Sequence, residues 1–245
     1  MNLFVEALAW IFSPDRLGGS NPLPQRLGEH LLFTFVAVVI AAIIAVPIGY
    51  LIGHTGRGRE IAVGLSGAAR AIPSFGLIIL LVLLIGVLQA PLAAITAFVL
   101  LGIPSILAGA YAGLESVDRR TIDAARAVGM TEWQILVKVE IPLGLPLLIA
   151  GFRAATLQIV ATVTLAAYVG LGGLGVYILK GLALRQFDQM LGSALLIAAL
   201  ALVLDALYAV LQRVVVPRGV SAGRTLDVRT KSTRSRAAAE VSASQ

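Results

Sequence analysis

The chain is 245 residues long, 58% hydrophobic, only 13% charged, and carries a formal net charge of +6. A soluble globular surface needs about 25% charge, so a soluble domain is excluded and a polytopic helical membrane protein follows; a positive-inside bias accounts for the net charge better than nucleic-acid binding. The absence of cysteine excludes disulfides, thiolate metal sites and cysteine nucleophiles, and His30 and His54 stand too far apart to suggest a cluster.

In chain order, MNLFVEALAWIF puts Phe4, Ala7, Leu8 and Ile11 on one helical face, with Trp10 and Phe12 nearby. No basic stretch precedes it and Glu6 interrupts it, so it reads as a short interfacial helix rather than a signal peptide. A Gly/Pro loop follows. Residues 31–53 form the first span, with Pro47 as a kink site, long enough for the roughly 20 residues of a crossing. The second hydrophobic region, 61–88, is broken at Arg70-Ala-Ile-Pro73, which predicts a short helix or a sharp kink ahead of the apolar run. The third span covers 92–114. The fourth covers 143–169 and runs into GLGGLG, where Gly170, Gly172, Gly173 and Gly175 favour irregular backbone. Lys180, Arg185 and Asp188 are placed in a polar connector before a fifth span at 190–211. From Pro217 the Ser/Ala/Arg-rich sequence has no apolar period; it is predicted to be a disordered, basic cytosolic tail able to touch anionic lipid heads.

The longest polar segment between spans is DRRTIDAARAVGMTEWQILVKVEIP, residues 118–142. Asp118 suits the N-cap of a first helix, and Ile122, Ala125 and Val128 share one of its faces. Gly129 suits the residue after its end. Thr131 with Gln134 is a capping-box pattern for a second helix, and Pro142 marks a boundary after it. If this loop is inside, Arg57, Arg59, Arg119, Arg120, Arg126, Lys138 and the basic tail are cytosolic, while the outside keeps Arg16, Arg26, Lys180 and Arg185 offset by Glu6, Asp15, Glu29 and Asp188. That agrees with the positive-inside rule.

Ionisable groups within spans are costly and need a reason. Arg70 and Arg153 are expected near the cytosolic ends of their spans, with their head groups snorkelling, and Asp205 is expected to be paired or to face the bundle. The segment TVTLAAYVGLGGLG, with hydroxyls, a tyrosine and broken backbone at membrane depth, suits a lined cavity or gate.

The polar loop resembles the EAA motif of ATP-binding-cassette importer permeases, Glu-Ala-Ala-x3-Gly-x9-Ile-x-Leu-Pro. Asp123, Ala124 and Ala125 open it, Gly129 follows at the matching position, and Val139, Ile141 and Pro142 close it. Asp123, Val139 and Ile141 are conservative departures. With RAIPS at 70–74 and the stretch 128–153, the region from about 30 to 216 looks like the permeases for glycine betaine, carnitine, choline and proline. Where many members read Asn-Thr-Tyr late in the third span, this chain has Gly109-Ala110-Tyr111.

The resemblance implies an all-α membrane protein with the type I importer permease fold, a polytopic bundle of about five transmembrane helices with six as the alternative. It implies an extracytoplasmic segment at 1–29, a permease domain at 30–216 with a cytosolic coupling loop at 115–142, and the tail at 217–245. Asp123, Ala124, Ala125, Gly129, Met130, Thr131, Trp133 and Pro142 would contact a separate ATPase subunit. Tyr111, Thr162, Thr164, Tyr168, Gly170, Gly172 and Gly173 are the candidates for the translocation path or gate. The implied partners are that ATPase, a second permease subunit (a copy or a paralogue), an extracytoplasmic substrate-binding protein and membrane lipid. ATP and Mg would sit in the ATPase, since this chain has no G-x-x-x-x-G-K-[ST] loop, no catalytic triad and no metal constellation. A multi-pass, non-catalytic subunit of the cell membrane is expected. The alternatives are a permease for another small solute, such as an amino acid, and a stand-alone secondary carrier, which should show an inverted repeat.

Overall fold

In the computed structural model, which describes residues 2–19 and 21–215, ten α-helices are present and no strand occurs among the described residues. The predicted tail at 217–245 lies outside them. Local chemistry sets several helix ends. Asn2 caps α1 (Leu3–Ile11) by accepting from the Phe4 N–H. Proline opens α2 (Leu23–Thr55), and Gly56, at φ +70°, closes it. Pro47 lies inside α2 without ending it.

The predicted break is real and large. α3 (Arg59–Ala71) and α4 (Ser74–Ile85) meet at 90° across Ile72 and Pro73. Proline 73 cannot donate an N–H and forces the preceding residue into extended backbone, here ψ 126° at Ile72. Arg70 sits at this break and donates to Ser105 Oγ at 3.5 Å. A short 3-10 turn then leads into α5 (Ala90–Glu115). Taking the broken pair as one crossing, the chain has five candidate spans.

α5 is the centre of the bundle, far more deeply buried than α2. Phe98, Ile106 and Ile159 are fully enclosed there. Small residues let the backbones approach. A Cβ on Gly109 would lie 2.6 Å from the Leu147 carbonyl oxygen, and one on Gly113 would lie 2.6 Å from that of Gly144. This seam joins α5 to α8 (Ile141–Val163).

α8 is the upper part of a longer rod. The polar segment folds as α6 (Arg119–Ala127) and α7 (Glu132–Ile135), and α7 passes through a π turn at Leu136–Glu140 directly into α8. Pro142 was expected at a boundary; instead it lies in the first turn of α8 and the helix continues through it. A proline ring crowds the carbonyl four residues back, here that of Lys138, and that carbonyl belongs to the π turn Leu136–Glu140.

Beyond a 3-10 stretch (Thr164–Val169) and the glycine loop come α9 (Gly175–Leu184) and α10 (Phe187–Val215). Lys180, predicted in a connector, is therefore on helix α9, because the apolar residues Val176, Tyr177, Ile178 and Leu179 continue the helical run around it. α1 also differs from expectation. It buries Ala7 and Trp10, with Phe4 and Leu8 left exposed. Gly192 of α10 gives Trp10 its space, and the Trp10 and Tyr177 rings meet edge-to-face at 5.1 Å. α1 is thus docked on the last span through Trp10.

Candidate functional site

The helix pair α6–α7 is a small, well-terminated element. Asp118 Oδ1 accepts from the Arg120 N–H at 2.9 Å, as an N-cap should. At the other end of α6, the Gly129 N–H donates to the Arg126 carbonyl and the Met130 N–H to the Ala125 carbonyl. That is the Schellman closure, which requires φ > 0 at Gly129, observed at +85°. Thr131 and Gln134 form the full capping box of α7. Of the three residues placed on one face of α6, Ala125 is buried, Ile122 is half-buried and Val128 is 79% exposed. Val128 and Trp133, the latter 72% exposed, put apolar surface at the tip of this element. Asp123, Ala124, Gly129 and Thr131 are also exposed there, whereas Pro142 is set back at the foot of α8.

Behind the helix pair is a polar cavity of about 490 Å³, lined among others by His54, Arg59, Glu115, Asp123, Arg126 and Glu140. Ionic contacts connect its walls. Arg126 holds Glu132 through two bonds of 2.8 and 3.0 Å and reaches Asp123 at 3.5 Å. The Glu132 carboxylate raises the Arg126 guanidinium above its ordinary range. His54, at the end of α2, bonds Glu140 Oε2 at 2.5 Å and faces Glu132 at 3.7 Å. Arg59 approaches Glu115 at 3.7 Å. His54 and Glu140 were not singled out from the sequence, since 86 residues separate them.

The candidates for a path or gate do not form one group. Tyr111 packs beside Gly49 and Gly53 near the polar end of α2. The remainder cluster at the opposite end of α2. Thr162 and Thr164 line a second cavity of about 490 Å³ with Ser74 and residues of α8, α9 and α10. The Thr162 hydroxyl donates to the Gln158 carbonyl at 2.8 Å, the usual return bond within a helix. Tyr168, half exposed, meets Phe75 edge-to-face at 5.1 Å.

The glycine loop is anchored, not slack. Gly170, Gly172 and Gly173 all have φ > 0, and a Cβ on Gly172 would run into the Glu29 carboxylate. Glu29 Oε2 accepts from the Gly173 N–H at 2.9 Å and from Arg26 at 2.8 Å. His30 is fully buried: Nδ1 accepts from the Leu174 N–H and Nε2 donates to the Val160 carbonyl, which fixes the neutral tautomer with the proton on Nε2.

At mid-span, Asp205 of α10 receives Arg153 of α8 in a two-bond pair, one contact being Arg153 Nη2 to Asp205 Oδ2 at 2.6 Å. One helical turn along, Thr156 and Tyr208 share a hydrogen bond of 2.9 Å. Asp205 is therefore paired, as expected. Arg153 lies at the middle of α8 and not at its end, and its charge is met by a carboxylate.

Four long apolar helices, with the bent pair α3–α4 as a fifth candidate span, make this a multi-pass membrane protein. Residues 45–219 match the family described as binding-protein-dependent transport system inner membrane component. The chain belongs to that family and is a type I ATP-binding-cassette importer permease. It is 34% identical over 198 residues to the glycine betaine/carnitine/choline transport system permease protein OpuCB of Bacillus subtilis, covering 81% of this chain and 90% of that one. It is 38% identical over 210 residues to the osmoprotectant import permease protein OsmW of Salmonella typhimurium, covering 83% and 96%. Its fold is similar to that of a chain of the MetNI methionine ABC transporter solved in inward-facing conformations, with a TM-score of 0.70, 24% identity, and coverage of 80% and 96%.

Proposed function

We propose that this chain forms the membrane path of an importer for quaternary-ammonium osmoprotectants, and that α6–α7 is the coupling element on which a separate ATPase subunit acts. The observation that carries the coupling reading is the exposed pair Val128 and Trp133 on a short, doubly capped element. Large apolar side chains held out by a rigid support favour a protein partner. The substrate class rests on the relatives' names, which cite glycine betaine, carnitine and choline.

In this reading α6–α7 is cytosolic and residues 1–29 are extracytoplasmic. The tail at 217–245 is cytosolic and solvated. ATP and Mg are bound by the ATPase, and a second permease subunit and an extracytoplasmic binding protein complete the assembly. ATP-driven closure of the ATPases displaces the helix pairs, and the bundle switches between two discrete arrangements. The test is uptake of labelled glycine betaine by vesicles containing the full assembly. Gly129→Asp forces a side chain into backbone of φ +85° and adds charge at the exposed tip of the helix pair. It should abolish uptake, as should deletion of Ala124 and Ala125, with membrane insertion retained. Normal uptake by both variants overturns the coupling reading.

A further inference from the structure

Glu140 is the one buried carboxylate among the described residues, 4% exposed. A carboxylate withdrawn from water needs a cation or strong donors beside it. Its Oε2 accepts a hydrogen bond from His54 Nδ1, in the last turn of α2. The other ring nitrogen of His54 faces Glu132 of α7 at 3.7 Å. Glu132 is gripped by Arg126 of α6, which also touches Asp123. A continuous polar chain therefore runs from Asp123, in the EAA-like motif, through Arg126, Glu132 and His54 to Glu140. The charged side chains of Arg59, Glu115 and Arg119 face the same cavity.

The members of this chain are unequal. Asp123, Arg126 and Glu132 are exposed, and exposed pairs contribute little singly. The enclosed link is His54 to Glu140. It also spans the yielding part of the structure, because the π turn Leu136–Glu140 separates α7 from α8 and Pro142 removes a helix hydrogen bond just beyond it. Without a cross-brace, a displaced α6–α7 could be absorbed by that turn.

We infer that His54 is a positioning residue for transport: it braces the π turn against α2, so that movement of the helix pair carries α2 with it. The inference rests on the coupling reading above.

The test uses the complete assembly in vesicles, with labelled glycine betaine taken up per ATP hydrolysed as the readout. His54→Ala and the isosteric Glu140→Gln should each lower that ratio by about tenfold or more, the order expected for cutting a coupling link, while hydrolysis continues. The exchange His54→Glu with Glu140→His should restore it. A second readout needs no solute. In this cysteine-free chain, spin labels at Arg120 and Phe35, on α6 and α2, should keep one distance through the ATP cycle because the braced elements move together, whereas His54→Ala should let that distance change with ATP. An unchanged ratio in His54→Ala, a parallel fall of uptake and hydrolysis, no rescue by the exchange, or an α6–α2 distance that stays fixed in His54→Ala each overturns the inference. If Gly129→Asp still abolishes uptake in that event, the coupling reading stands and only the brace falls. If Gly129→Asp transports normally, both fall.

Discussion

Replacing Gly109 by alanine tests whether the α5–α8 seam is as tight as drawn. The new Cβ would stand 2.6 Å from the Leu147 carbonyl oxygen and 2.9 Å from Gly151 Cα, against the 3.4 Å at which van der Waals contact becomes ordinary. Both neighbours are backbone, so no side chain can swing away and a helix must move by most of an ångström. Overpacking of this kind costs about 1–3 kcal/mol. Alanine returns about 1 kcal/mol through its better helix propensity, so the net loss is up to about 2 kcal/mol. Gly64→Ala, in α3 with nothing within 4 Å of the new Cβ, keeps only the propensity gain and serves as the control. Unfolding midpoints of the purified protein in detergent measure both. Gly109→Ala should fall and Gly64→Ala should hold or rise. Because Gly109 and Gly151 oppose each other, their double alanine variant should lose less than or more than the summed singles, a coupling that distant sites lack. A Gly109→Ala midpoint equal to or above the parent's would refute the close approach.

Gly172→Ala combines a left-handed backbone position with a collision against Glu29, so it should lower the melting midpoint clearly more than Gly18→Ala, which meets open space. Arg153→Leu leaves Asp205 without a partner at membrane depth; it should reduce the amount of folded protein in membranes more than Arg153→Leu combined with Asp205→Leu does. Thr131→Ala removes the capping box and should cost α7 about 1 kcal/mol, read as faster amide exchange at residues 134 and 135. Normal exchange there would mean the cap is not what holds α7.

Features written in neighbouring residues were legible in the sequence. Pro73 announces the bend between α3 and α4, and Asp118, Gly129, Thr131 and Gln134 mark the ends of α6 and α7 through chemistry confined to a few positions. The glycine loop is irregular for the same local reason. Partners brought together by folding were not legible. Asp205 could be expected to be paired, but not with Arg153, 52 positions away. His54 meeting Glu140, and Glu29 and His30 clasping the glycine loop, depend on helix orientations that no local pattern encodes. Trp10 was placed beside the apolar face of α1, yet its burial depends on Gly192 vacating space on α10. The passage of the helix through Pro142 was missed because a proline rule assumes an ordinary turn before it.

The length of α2 has a consequence for the lipid. Its 33 residues make a strut of about 50 Å, while the hydrocarbon layer is only about 30 Å deep. His30 and His54 stand about 36 Å apart along it, farther than that layer is deep, so with α2 upright the clasp and the polar chain cannot both lie within the hydrocarbon. Bilayer thickness thereby bears on both fastenings together: thicker acyl layers would draw these charged ends toward oil, and the tilt of this one strut would have to compensate.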